Sequence, residues 1–171
     1  IFEATKFTRP CEVSRKVINN YLKVLEETFV IYIVKPFSTY KPTEITKAPK
    51  VYAFDTGFVC YYKGWENLRK EDMGSLWEHY VLNEILAHRQ SRKVFYWRDK
   101  SHHEIDFVIS ERGKPPTAIE CKWSASNFDP AGLKAFRRRY PEGENFIVCR
   151  DVQRDFFLFI DESKVNFISL E

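Results

Sequence analysis

The stretch HHEIDFVISERGKPPTAIECKWS, His102 to Ser124, decides the fold. β-Branched and aromatic residues in "EIDFVI" and "TAIECKW" mark two short strands, and Gly113–Pro116 marks the turn between them. Both strands are expected to be core, yet Asp106 sits inside the first and Glu120 and Lys122 inside the second. Alternate side chains of a strand share a face, so Glu120, Lys122 and Ser124 lie together and Ile119, Cys121 and Trp123 lie opposite. A hairpin centred on Gly113 sets Asp106 directly across from Glu120, with Cβ atoms roughly 5 Å apart. Like charges so placed repel unless a cation lies between them. Lys122 supplies one positive charge, and a divalent metal would supply more.

Working outward, Gly74 and Ser75 open a helix, SLWEHYVLNEILAHRQ. Glu78 lies at helical spacing from Val81, Leu82 and Ile85, which points it along the apolar stripe and inward. An unpaired buried carboxylate costs several kcal/mol, so Glu78 is expected to have a partner. A strand KVFYW follows that helix. Beyond the hairpin, a helix over about 129–140 starts at Asp129 with Pro130 at its first position, and a strand NFIVCR comes next. The order is α-β-β-β-α-β, an α+β fold with an α/β core and a mixed sheet. Two aromatic segments, DFFLFI and VNFISL, extend or cap that sheet.

Upstream, Ser14 is the expected N-cap of a helix over about 15–27, with Val17, Ile18, Tyr21, Leu22 and Leu25 at helical spacing. TFVIYIVKPF then reads as a strand broken by Pro36, a polar loop holds Pro42 and Pro49, and KVYAFDTG returns as a strand. Helix, strand, loop, strand is the second half of a winged helix. Arg15, Lys16, Asn19, Asn20 and Lys23 would then line the recognition helix, and Lys35, Lys41, Lys47 and Lys50 the wing, where cations meet phosphates. The same side chains also suit an ordinary solvated face or a protein contact. Residues 59–73 read as a connection, which divides the chain into 1–70 and 71–171. Charge follows the division: 12 Lys/Arg against 7 Asp/Glu in the first part, 15 against 17 in the second.

Composition sets the outer bounds. A chain of 171 residues with 15 Phe, 9 Tyr and 4 Trp has enough apolar surface for a core. No apolar run reaches the roughly 18 residues a membrane span needs. Cys11, Cys60, Cys121 and Cys149 are far apart without a C-x-x-C pair, which makes a zinc site unexpected and fits a reduced, cytoplasmic setting. The chain begins at Ile1 rather than Met and is expected to be a piece of something longer. There is no G-x-x-x-x-G-K-S/T, hence no P-loop site for ATP, and no G-x-S-x-G for acyl transfer.

The chemistry that wants Glu78, Asp106, Glu120 and Lys122 together is metal-assisted phosphodiester hydrolysis. Carboxylates from adjacent strands hold Mg²⁺ or Mn²⁺, and a nearby Lys orients water or offsets phosphate charge. Ser124 is placed to meet substrate. With "LWEHYVLNEIL", "VFYWRDKSHHEIDFVI" and "IECKWS" in that order, the chain resembles the PD-(D/E)XK nuclease superfamily. Together with "VSRKVINNYLKVLEETFV" and "APKVYAFDTGF", it more narrowly resembles the C-terminal domain of unknown function of prokaryotic AAA-type ATPases. The resemblance implies a restriction-endonuclease-like core after a partial winged helix, and an ATPase module upstream. It also implies DNA as partner and Mg²⁺ at Asp106, Glu120 and the Cys121 carbonyl; Glu78 on the helix is expected to bind the metal directly or through water, and the lack of a long apolar run sets no membrane partner. Ile105, rather than Pro, precedes Asp106, a relaxed form of the pattern. The rival reading is a non-catalytic DNA-binding or partner-binding appendage.

Overall fold

The computed structural model describes residues 1–38, 48–88 and 93–170. A short helix α1 (Thr5–Thr8) precedes α2 (Arg15–Glu27), whose N-cap Ser14 accepts the Val17 N–H at 3.3 Å. Strands β1 (Ile31–Pro36) and β2 (Lys50–Ala53) pair antiparallel. Lys41, Lys47 and Pro42, expected on the connecting loop, lie outside the described residues.

Next come α3 (Thr56–Lys63) and α4 (Lys70–His88), where the sequence reading expected a connection over 59–73 and a helix from Gly74. Two caps make α3 a helix. Asp55 accepts the Phe58 N–H at 2.9 Å, and Gly64 takes the left-handed conformation (φ 64°) that closes it. The α4 helix starts early because the Asp72 carboxylate accepts the Arg69 N–H at 3.0 Å, which leaves Gly74 in the helix interior.

The remainder is β3 (Val94–Arg98), β4 (Glu104–Ile109), β5 (Thr117–Lys122), α5 (Ala131–Arg139), β6 (Asn145–Cys149), β7 (Phe156–Ile160) and β8 (Ser163–Ile168). Among the described residues there are five α-helices and one mixed eight-stranded sheet in the order β2-β1-β3-β4-β5-β6-β8-β7. The element order α4-β3-β4-β5-α5-β6 is the order expected from the sequence, and the last two strands do join the sheet. The first hairpin is continuous with the rest, because β1 runs parallel beside β3.

The sheet is covered on both faces. On one side Leu133 and Phe136 of α5 and its C-cap Tyr140 pack on Trp97, Ile105, Val108, Ala118, Ile147 and Cys149. On the other, Trp77, Val81 and Leu82 of α4 pack on Tyr52, Tyr96, Phe107, Ile119 and Val148. Alternation along each strand feeds both layers. The indole N–H of Trp77 donates to the Val148 carbonyl at 2.9 Å and anchors α4 over β6.

Arg137 is a buried cation in this fold. Counted with its neighbours it reads as part of a basic run, but it lies on the α5 stripe with Leu133 and Phe136 and is buried. Its guanidinium donates to Asn145 Oδ1 at 2.6 Å and to the carbonyls of Pro116, Tyr140, Glu142 and Glu144. Burial lowers its pKa to about 10. Gly143 closes this loop at φ 119°, where a Cβ would meet the Pro116 carbonyl oxygen at 2.2 Å. Arg137 is thus spent on backbone and is no candidate for phosphate contact. Arg137→Met strands buried acceptors and is expected to cost about 3 kcal/mol or more in urea unfolding, against less than about 0.5 kcal/mol for the exposed Arg138→Met.

Candidate functional site

The site forms where β4 is irregular. The β4–β5 register pairs Phe107 with Ile119, Val108 with Ala118 and Ile109 with Thr117, the register expected for a hairpin centred on Gly113. On the other side of β4, Phe95 pairs with Val108 but Trp97 pairs with Ile105, so β4 carries one extra residue there. Ile105 and Val108 both face α5, while Phe107 faces α4, which leaves Asp106 in the bulge. A bulge re-aims its side chain. The Asp106 carboxylate turns in between the strands, where Oδ2 accepts the Cys121 N–H at 2.9 Å. Asp106 is therefore not the simple face-to-face partner of Glu120 that regular pairing predicts.

What meets Asp106 is a lysine from the first hairpin. Lys50 Nζ lies 2.9 Å from Glu78, 2.5 Å from Glu104 and 3.7 Å from Asp106. Tyr52, two residues along β2 on the same face, donates its hydroxyl to the same Glu78 Oε1 at 2.5 Å. The Tyr52 ring packs on Phe107 and His79, with centroids 5.7 and 4.9 Å away. Glu104 is also 3.6 Å from Arg98. Lys50, expected on a solvated wing, instead has a side chain only 12% exposed. Glu78 does point inward from α4 and does have partners, as its place on the apolar stripe requires.

Glu120 and Lys122 form the neighbouring half. They pair at 3.0 Å on the α5 side of β5. Glu120 is buried, and its Oε1 has no hydrogen-bond partner. The α5 helix comes close here: a Cβ on Gly132 would lie 2.5 Å from the Glu104 carbonyl oxygen and 3.5 Å from Glu120 Oε1. Gly132→Ala therefore has to push α5 off β4, and a loss of about 1–3 kcal/mol in thermal or urea unfolding is expected.

Electrostatics follow from this packing. Burial, then the Glu78 charge, raise the Asp106 carboxyl to about 6, against the pull of Lys50, Lys122 and the Cys121 N–H. Burial raises Glu120 to about 7 despite Lys122. Burial would lower both ammonium groups, but Glu78, Asp106 and Glu104 hold Lys50 above its ordinary value, and Glu120 and Asp106 do the same for Lys122. Burial and the Asp106 charge push the Cys121 thiol well up. Its carbonyl points to the same side as its N–H, toward β4, by ordinary strand geometry.

Among the described residues, no three His, Cys, Asp or Glu side chains gather closely enough to hold a metal ion. The oxygens a cation could use here are those of Asp106, the unpartnered Glu120 Oε1, which feels the Asp106 charge, and the Cys121 carbonyl. That set suits a hard cation of the Mg²⁺ kind, which keeps several waters and needs only one or two carboxylates. Glu78 is committed to Lys50 and Tyr52. Ser124 is committed as well, donating to Asp151 at 2.6 Å and facing the Ser126 hydroxyl at 2.9 Å. Arg15, Lys16 and Lys23 are exposed on α2, away from this cluster in sequence and element, and Lys23 faces Glu27 at 3.7 Å. Lys50, Tyr52 and Glu104 are the members the sequence reading missed. The spacing of Lys50 and Tyr52 in "KVYA" was the available signal, a cation and a hydroxyl on one face of a strand.

Fold and site together define an α+β protein whose mixed sheet carries a partly buried carboxylate–ammonium cluster at a bulge. Residues 73–169 match a domain of unknown function, DUF4143, and the chain belongs to that family. Residues 1–69 match a second domain of unknown function, DUF8612, and it is this stretch that sends Lys50 and Tyr52 into the cluster. Two uncharacterized proteins, one from Mycobacterium bovis and one from Mycobacterium tuberculosis, are each 24% identical over 119 residues. That stretch is 67% of this chain but 27% of either relative. Among the described residues no helix is long and apolar enough to cross a membrane.

Proposed function

We propose that this chain is a metal-dependent nuclease-like domain that hydrolyses phosphodiester bonds of DNA. In this reading the sheet with α4 and α5 is a restriction-endonuclease-like PD-(D/E)XK core. Helix α2 with β1 and β2 is a partial winged helix, and the whole protein carries an AAA-type ATPase module. The observation that carries the reading is Glu120 Oε1, a buried carboxylate oxygen without a partner beside a bulge-borne Asp106. A buried unpartnered carboxylate oxygen is costly, and an oxygen-seeking cation removes that cost. Asp106, Glu120 and the Cys121 carbonyl would hold Mg²⁺ or Mn²⁺. The ion, when bound, supplies charge stabilisation on the phosphate and a more acidic water. Lys122 keeps Glu120 oriented through its 3.0 Å contact and presents an ammonium to phosphate or attacking water. Exposed Arg15, Lys16 and Lys23 supply phosphate contacts on the backbone of bound DNA.

A second reading has its own observation. Lys50 already ion-pairs with Glu78, Glu104 and Asp106, as a structural cation would in a non-catalytic DNA-binding or partner-binding appendage. Cleavage of plasmid and single-stranded DNA with Mg²⁺ or Mn²⁺ separates the two. The nuclease reading expects cutting by the wild type and a loss of about a hundredfold or more in Glu120→Gln and Lys122→Ala. No cutting of any DNA, with DNA binding that Arg15→Glu/Lys16→Glu weakens and makes less salt-dependent, favours the appendage.

A further inference from the structure

The Lys50 contact has a thermodynamic consequence for the metal site proposed above, on which the following rests. The ion-paired set contains four carboxylates, Glu78, Glu104, Asp106 and Glu120, against three cations, Lys50, Arg98 and Lys122. With all four carboxylates ionised, as metal ligands must be, one net negative charge remains. A divalent ion added to this set would leave a net positive charge in a poorly solvated place. The same ion exchanged for Lys50 would leave none. Like charges cannot share such a site cheaply, and the Lys50 side chain is only 12% exposed, so it has little water to retreat into without moving its strand.

Lys50 is not an isolated side chain. It sits at the start of β2, and Tyr52 on the same strand donates to the same Glu78 oxygen. Its ammonium also lies 5.6 Å from the centre of the Tyr96 ring, and the Tyr96 hydroxyl donates to the Ala48 carbonyl at 2.7 Å, just upstream. Withdrawing Lys50 from the carboxylates therefore loosens the β2 end of the first hairpin.

We infer that Lys50 is a resident counter-cation that competes with divalent metal for the carboxylate cluster, so that the seating of the β1–β2 hairpin and metal binding oppose each other. Residues 1–69 thereby set the metal affinity of a site built from residues 73–169. Linkage makes the effect reciprocal: whatever unseats the hairpin tightens metal binding, and metal binding unseats the hairpin. A conformational change in the amino-terminal module is then enough to arm or disarm the site.

The probe is Mn²⁺ alone, its bound fraction read from loss of the free-ion electron paramagnetic resonance signal. Lys50→Met keeps the length and removes the charge, and it is expected to bind Mn²⁺ at least tenfold more tightly than the wild type. A Lys50 that merely supports the fold predicts equal or weaker binding, and that result overturns the inference while leaving the metal site standing. Binding by neither protein overturns the metal site and this inference together. The wild type supplies a second measurement that needs no substitution. Saturating Mn²⁺ should speed amide hydrogen exchange over residues 50–53, and unchanged or slower exchange there in a protein that binds Mn²⁺ also overturns it.

Discussion

Three carboxylates converge on one ammonium at the junction of the first hairpin with the sheet, and those ion pairs tie β2 to α4 and β4. Glu78 comes from α4, Glu104 and Asp106 from β4, and Lys50 from β2. All three are partly buried, and Lys50 is the partner they share. The cluster joins the stretches matched by two families of domain. It makes β1 and β2 part of the site as well as part of the sheet.

The second constraint is the bulge. One extra residue in β4 places Asp106 between the strands instead of on a face. Its carboxylate can then accept the Cys121 N–H and still reach toward Lys50. The close approach of α5 at Gly132 confines Glu120 on the opposite side and leaves one of its oxygens without a donor. Two acids of unlike surroundings result: Asp106 tied to backbone and to Lys50, Glu120 tied only to Lys122. In the proposed nuclease reading, an asymmetric pair of this kind would let a cation bind without dismantling the core.

Much of this was legible in the sequence, because it depends on local rules. The Ser14 cap and the apolar spacing after it mark α2, and the Gly113 turn marks the β4–β5 register. Glu78 on an apolar stripe announces a buried partner. What was hidden depends on contacts distant in sequence. Lys50 reads as a loop-end lysine until β1 is seen beside β3, which brings β2 and α4 together. The bulge at Asp106 leaves no mark in composition, since "EIDFVI" alternates well enough to pass as regular. Arg137 reads as one of three basic residues in "RRR", although its spacing from Leu133 and Phe136 already places it on the buried face. The α3 helix was missed because "DTG" suggests the end of a strand, whereas Asp55 there acts as a helix cap.

The proposed exchange is of Lys50 for a divalent ion beside Asp106 and Glu120. Crystals of the metal-free chain soaked in Mn²⁺ and measured for anomalous scattering would observe it directly. The expected result is a peak bonded to carboxylate oxygens of Asp106 and Glu120, with Lys50 Nζ withdrawn from Glu78 and Glu104. No peak at that position, or a peak there with Lys50 still seated among its three carboxylates, would contradict it.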